Sequence, residues 1–111
     1  MATTLTDVYS NALSALTGAR ELMLSAQWQS ALTDAQGPAA AQSILDVEHA
    51  ILALSNASLT NIATAMQTNA TDLTSQTNAL NSVVAKINQV QGVIDAVTNI
   101  VATVGKIVPL L

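Results

Sequence analysis

The stretch that decides the fold is LNSVVAKINQVQGVIDAVTNIVATVGKIV, residues 80–108. Large apolar residues recur in it at every seventh position, and the same spacing continues without a miss back to residue 45. The positions of this seven-residue ladder are Val108, Val101, Ile94, Ile87, Leu80, Leu73, Met66, Leu59, Leu52 and Leu45. A seven-residue period places one side chain every two turns along one side of an α-helix. The sequence therefore predicts that residues 45–108 are helical and that packing between helices organises the protein.

The apolar side of the C-terminal segment is predicted to be a packing and interaction seam. Valines stand between the ladder positions, and amide and hydroxyl side chains occupy the opposite side of the helix. The predicted seam consists of Leu80, Val83, Ile87, Val90, Ile94, Val97, Val101, Val104 and Val108. Because β-branched residues fill most of these positions, the seam suits three or more helices around a common core rather than a two-stranded zipper.

The N-terminal third predicts another helix, over residues 4–34. Its apolar residues are three and four positions apart, and Thr4 is a suitable N-terminal cap. Gly18 is a point at which this helix is expected to kink or split. Gln36-Gly37-Pro38 predicts a helix boundary, since glycine suits a left-handed C-cap and proline suits the first turn of the next helix.

Residues 67–79 leave two architectures open. Ten of these thirteen residues are Gln, Thr, Asn, Ser or Asp, which are mostly weak helix formers. A turn here gives one helical domain over residues 1–111, an elongated antiparallel bundle of three long helices at about 4–34, 39–66 and 72–108. The alternative is one continuous C-terminal helix of roughly 70 residues in an oligomeric coiled coil, which the unbroken ladder favours. The polar composition of residues 67–79 favours the turn, and hence the all-α bundle of three helices.

Charge and composition restrict the classes of partner. Only 9% of the residues are charged, where about 25% is usual, so copies of the chain repel one another weakly. The net charge is −4, and the basic residues are Arg20, Lys86 and Lys106. Because a nucleic acid requires clustered cations, we expect no nucleic-acid partner. The chain has no cysteine, which excludes disulfides and thiolate sites.

Catalytic and metal-binding candidates are few. His49 is the single histidine, and Asp46, three residues earlier, is predicted to share its helical face while Glu48 points elsewhere. A metal site needs three or four converging ligands, so we predict no metal and no cofactor. Neither a nucleophile elbow nor a glycine-rich phosphate loop is present, and the sequence predicts a protein that is not an enzyme. Trp28 is expected to fill one end of the core.

The sequence therefore predicts a non-catalytic structural or interaction protein that acts through helix packing and self-association. Its expected partner is a protein, either other helices or further copies in a homo-oligomer. The alternative is a membrane-active helical protein, such as a translocator or pore-forming component, because residues 87–111 carry only Asp95 and Lys106 as charged residues. Residues 1–7 lack the basic and apolar regions of a signal peptide, so we expect a cytoplasmic protein or one secreted by a leaderless route.

Overall fold

The computed structural model describes residues 4–86 and 90–108, apart from the side chain of Leu59. Those residues form helices joined by short connections, with no strand among them. The helices are α1 (Leu5–Leu24), α2 (Ala26–Ser30), α3 (Gly37–Asn56), α4 (Leu59–Val84) and α5 (Val90–Ile107). The prediction of an all-α fold whose helices pack on one another is confirmed. The prediction of exactly three long helices is not confirmed, since the described part of the chain is divided into more and shorter helices.

Four of the described helices form a ring, in which each helix packs mainly against two others. α1 and α5 each pack against both α3 and α4, and they also touch one another. The molecule is flattened, with principal dimensions of 42 × 32 × 17 Å. The Tyr9 hydroxyl of α1 donates a hydrogen bond to the Leu54 carbonyl near the end of α3, and Arg20 pairs with Glu48. These two contacts show that α1 and α3 are antiparallel neighbours, because the start of α1 lies near the end of α3.

The first break in the chain comes at Ser25 and not at Gly18. Gly18 lies inside the uninterrupted helix α1. The Ser25 hydroxyl donates to the Leu22 carbonyl at 2.6 Å and accepts from the Trp28 backbone N–H at 3.2 Å. Serine side chains compete in this way with helical backbone hydrogen bonds, and so α1 ends and α2 begins there. Trp28 on α2 is fully buried.

The boundary predicted at Gln36-Gly37-Pro38 is present, but glycine plays a different part in it. α3 begins at Gly37, and Pro38 lies in its first turn, where a missing N–H costs nothing. No glycine among the described residues has a positive φ. The left-handed cap expected at Gly37 is therefore wrong, and this glycine is the first residue of the next helix.

Residues 67–79, expected to form a turn, are helical and lie within α4. Met66, Leu73 and Leu80 are fully buried along one side of this helix, with Thr77 between them. The polar residues face outward for the most part, and Asn69 donates its amide to the Ala65 carbonyl at 2.8 Å. Burial of a regular apolar stripe stabilises a helix more than weak intrinsic propensity destabilises it. The predicted helix bounds at 66 and 72 are consequently not observed.

The continuous C-terminal helix of about 70 residues is not observed either. Ala57 is extended, with φ −81° and ψ 141°, and separates α3 from α4. The seven-residue ladder is therefore not buried along its whole length. Its positions in α3, Leu45 and Leu52, are exposed, whereas Met66, Leu73 and Leu80 in α4 are buried. α3 buries a different set of residues, defined here as its inner stripe: Ala40, Ser43, Val47, Ala50 and Leu54.

Candidate functional site

The structure places the described part of the predicted seam inside the chain's own bundle. Leu80 at the end of α4 is fully buried, and Val83 is half-buried. Along α5 and just after it, Val101 is half-buried and the other members are buried: Val90, Ile94, Val97, Val104 and Val108. Ile87 lies outside the described residues. Since α5 packs against α1, α3 and α4, contact with another molecule requires a different surface.

A different apolar surface is present on the side where α1 and α3 lie together. The described large hydrophobic residues that remain exposed are Leu24 (52%), Leu45 (51%) and Leu52 (60%). Leu24 lies one turn beyond Arg20, on the same side of α1. Because α1 runs antiparallel to α3, Leu24 lies toward the N-terminal end of α3. Single exposed apolar residues are common, but Leu45 and Leu52 line one surface together.

α3 has apolar residues on two opposite sides, and this follows from its sequence. Leu45 and Val47 are two positions apart, or about 200° around a helix. Val47 belongs to the inner stripe, so Leu45 points away from the core. Leu52 is seven positions after Leu45 and lies on the same outward side. We define the outer face of α3 as Leu45, Glu48, His49 and Leu52, which are spaced i, i+3, i+4 and i+7.

A shallow groove runs beside the outer face of α3. Thr17 and Arg20 of α1 form one wall, and the outer face together with Ile51 forms the other. The groove has a volume of about 400 Å³ and is open to solvent along its length. Enclosed ligand pockets cover most of the surface of a small molecule. An open groove between two helices is instead suited to the side chains of another helix.

The charges of the groove come from both of its walls. Arg20 Nε lies 3.9 Å from Glu48 Oε2, and both side chains are more than 40% exposed. An ion pair this exposed stabilises a fold by less than about 1 kcal/mol. His49 is exposed beside this pair. Glu48 and His49 both line the groove, although adjacent positions on a helix diverge by about 100°. Asp46 accepts a hydrogen bond from the Gln42 amide at 2.9 Å and is not part of the lining.

The residues that line the groove are suited to packing against a helix rather than to catalysis or metal binding. Among residues 4–86 and 90–108, no three His, Cys, Asp or Glu side chains converge as a metal site would require. The groove combines one histidine, one glutamate and one arginine with exposed leucines. Apolar anchors seven residues apart, with charges between them, are the pattern by which one helix contacts another. None of the described helices combines the length and the apolar content needed to cross a lipid bilayer.

Sequence reasoning assigned Leu45 and Leu52 to the ladder and so missed their exposure. A signal for the inner stripe was present, because Ala40, Ser43, Val47, Ala50 and Leu54 follow the same alternation of three and four residues. Alanine and serine are small, and a search for large apolar residues passes over them. Small residues let α3 approach its neighbours closely, and the large leucines are left on the other side.

Similarity to known proteins adds nothing to this description of the groove. No protein-family model matches the chain, and neither a curated protein nor a solved structure is significantly similar to it.

Proposed function

We propose that the chain is a non-catalytic interaction protein that self-associates by packing the outer face of α3 against a second copy. The observation that carries the proposal is the exposure of Leu45 and Leu52, which are half or more exposed and lie opposite the inner stripe of the same helix. A helix with apolar residues on two sides usually contacts two neighbours. Within the chain α3 has two main neighbours, α1 and α5, and they still leave Leu45 and Leu52 half or more exposed.

The area involved indicates weak and reversible association. Complete burial of a leucine stabilises by roughly 1.5–3 kcal/mol, and 51–60% of Leu45 and Leu52 is still in contact with water. A symmetric pair contains four such leucines, Leu45 and Leu52 from each copy. Covering them therefore contributes about 5 kcal/mol to the free energy of association. Neighbouring contacts along the groove must offset the loss of rotational and translational freedom. We expect a dissociation constant between about 1 μM and about 1 mM.

The composition of the chain supports a second copy as the occupant of the face. Only 9% of the residues are charged and the net charge is −4, so approach of two copies is opposed by little electrostatic repulsion. The groove itself carries both signs of charge, on Arg20 and Glu48. A face with apolar anchors and both charges is able to complement itself, whereas a face of one sign would select an oppositely charged partner.

Membrane activity is the second proposal, and one observation bears on it. α5 is strongly amphipathic, with nine of its residues buried and only Asp95 and Lys106 charged. Its apolar side is covered by the other helices, so lipid contact requires the bundle to open. Co-sedimentation with neutral and with anionic vesicles tests this. Binding that is accompanied by loss of the α5 contacts supports membrane activity, and absence of binding to both vesicle types removes it.

Sedimentation equilibrium between about 10 μM and about 1 mM tests self-association directly. We expect the wild-type chain to show a concentration-dependent mass and the double variant Leu45→Gln, Leu52→Gln to stay monomeric. Glutamine is a good helix former, so helicity by circular dichroism should not change. Ala79→Gln on the exposed side of α4 is the control and should behave as wild type. A wild-type chain that is monomeric over the whole range contradicts the proposal.

A further inference from the structure

The two charged residues on the outer face of α3 lie on opposite flanks of its leucines. Successive residues of a helix are about 100° apart, so Leu45 and Leu52 differ by only about 20° and form one line. Glu48 lies about 50° to one side of that line, and His49 lies about 50° to the other side. Arg20 of α1 contacts Glu48, so the Glu48 flank is the one beside α1. The outer face therefore has a carboxylate along one edge and an imidazole along the other.

These flanks distinguish the two ways in which a second α3 can pack on the leucines. In an antiparallel pair about a two-fold axis, each flank meets the same flank of the partner, so Glu48 faces the partner's Glu48. In a parallel pair in register, each flank meets the opposite flank, so Glu48 faces the partner's His49. Charges on the flanks of an apolar seam set the orientation of paired helices. Two facing carboxylates repel one another, whereas an imidazole N–H donates a hydrogen bond to a carboxylate.

We propose that two copies pair through parallel α3 helices, in register, about a two-fold axis that runs along the line of Leu45 and Leu52. This inference rests on the proposed self-association and adds the orientation and register of the contact. Each leucine then meets its counterpart in the partner, and each Glu48 accepts a hydrogen bond from the partner's His49. The helix dipoles disfavour a parallel pair only weakly, because their effect is confined to the terminal turns.

The surroundings of Glu48 leave it able to make this second contact. Arg20 approaches it from the α1 side at 3.9 Å, through Oε2, and both side chains are more than 40% exposed. A carboxylate accepts hydrogen bonds on both oxygens, so Oε1 remains for the partner's His49. The His49 flank of the partner then lies over the groove. Glu48 is held between two donors, one from its own chain and one from the partner.

The fold leaves the outer face of α3 accessible to a second copy. α3 packs mainly against α1 and α5, and α4 lies across the ring from it. The inner stripe points toward these helices, and the outer face points away from them. A two-fold contact uses the same surface on both copies, and closure leaves neither copy with a free outer face. The expected assembly is therefore a dimer and not a filament.

Cross-linking of single-cysteine variants measures the orientation, because the chain has no cysteine of its own. Ala41 and Asn56 are exposed residues of α3, one turn outside Leu45 and Leu52 on the same side. In the parallel register each of these positions meets the same position of the partner. Residue 41 of one copy and residue 56 of the other are then about 22 Å apart along the helix axis, given a rise of 1.5 Å per residue. A short bis-maleimide reagent cannot span that distance. An antiparallel pair reverses the result, because it places residue 41 opposite residue 56.

We expect Ala41→Cys and Asn56→Cys each to give a covalent homodimer alone, and their mixture to give almost no heterodimer. Sedimentation equilibrium of both variants and the wild type, with helicity by circular dichroism, is run beside the cross-linking. If only the mixture cross-links, the pairing is antiparallel, and if every combination cross-links equally, the register is not fixed. Either result overturns the inference while the proposed function stands. If all three proteins are monomeric, or if they self-associate with no cross-link in any combination, the inference and the proposed function both fail.

Substitution of His49 gives an independent test that needs no cysteine. His49→Lys puts a fixed positive charge opposite the partner's Glu48, and we expect about threefold tighter self-association from the two exposed pairs. Antiparallel pairing predicts weaker association instead, because the two lysines then face one another. Gln67→Lys on the exposed side of α4 makes the same change in net charge and should leave the dissociation constant unchanged. Weaker association of His49→Lys, or an equal effect of the two substitutions, overturns the inference.

Discussion

Replacement of Leu52 by glutamine gives the most direct measure of whether the outer face of α3 is buried on association. Leu52 is 60% exposed, so this share of its apolar surface is still available to be covered. Taking about 2 kcal/mol for full burial of a leucine, the covered share stabilises by about 1.2 kcal/mol per copy. A two-fold pair contains the residue twice, and the loss is about 2.4 kcal/mol. We expect the dissociation constant to rise about 60-fold.

The assay is sedimentation equilibrium over a concentration series, with the dissociation constant fitted to the mass distribution. Leu52→Met is the matched control, since methionine keeps a similar apolar area and helix propensity, and it should stay within about threefold of wild type. Both substitutions lie on an exposed side of a helix and should change the free energy of unfolding by less than about 0.5 kcal/mol. A glutamine variant that associates as tightly as the methionine variant would refute the assignment of this face.

Three further predictions concern the stability of the bundle, and thermal unfolding followed by circular dichroism measures them all. Ile94 is 5% exposed, so Ile94→Asp places an unpaired carboxylate in the core and should lower the melting temperature by more than about 10 °C. Asn99→Asp on the exposed side of α5 is the control and should leave the melting temperature nearly unchanged. Trp28 is fully buried and its indole N–H has no hydrogen-bond partner, so Trp28→Ala should cost about 3–5 kcal/mol. Trp28→Phe should cost much less, because it removes the unpaired donor and keeps most of the ring; equal losses for the two would contradict this account. Tyr9→Phe removes the hydrogen bond to the Leu54 carbonyl and should lower the free energy of unfolding by about 1 kcal/mol. An unchanged melting temperature would show that this contact between α1 and α3 is not stabilising.

The break after Leu24 and the helix over residues 67–79 show where sequence reasoning failed. Ser25 is one of many serines, and only its simultaneous hydrogen bonds to Leu22 and Trp28 distinguish it as a helix end. The polar stretch from 67 to 79 contains weak helix formers, and local propensity predicts a turn. Its helix depends on the burial of Met66, Leu73 and Leu80 against other helices, and such long-range contacts cannot be seen in a local window.

The sequence by itself determined the helical class, the absence of thiol chemistry and the apolar character of α5. Those properties follow from composition and from a period that only a helix satisfies. Tertiary structure decided which side of each helix is covered. Leu45 and Leu52 have the same spacing as the buried leucines of α4, yet they are exposed, because Ala57 ends α3 and the small residues of its inner stripe pack inward instead. A period fixes the angle between side chains on one helix, whereas the neighbours of that helix decide which of its sides meets water.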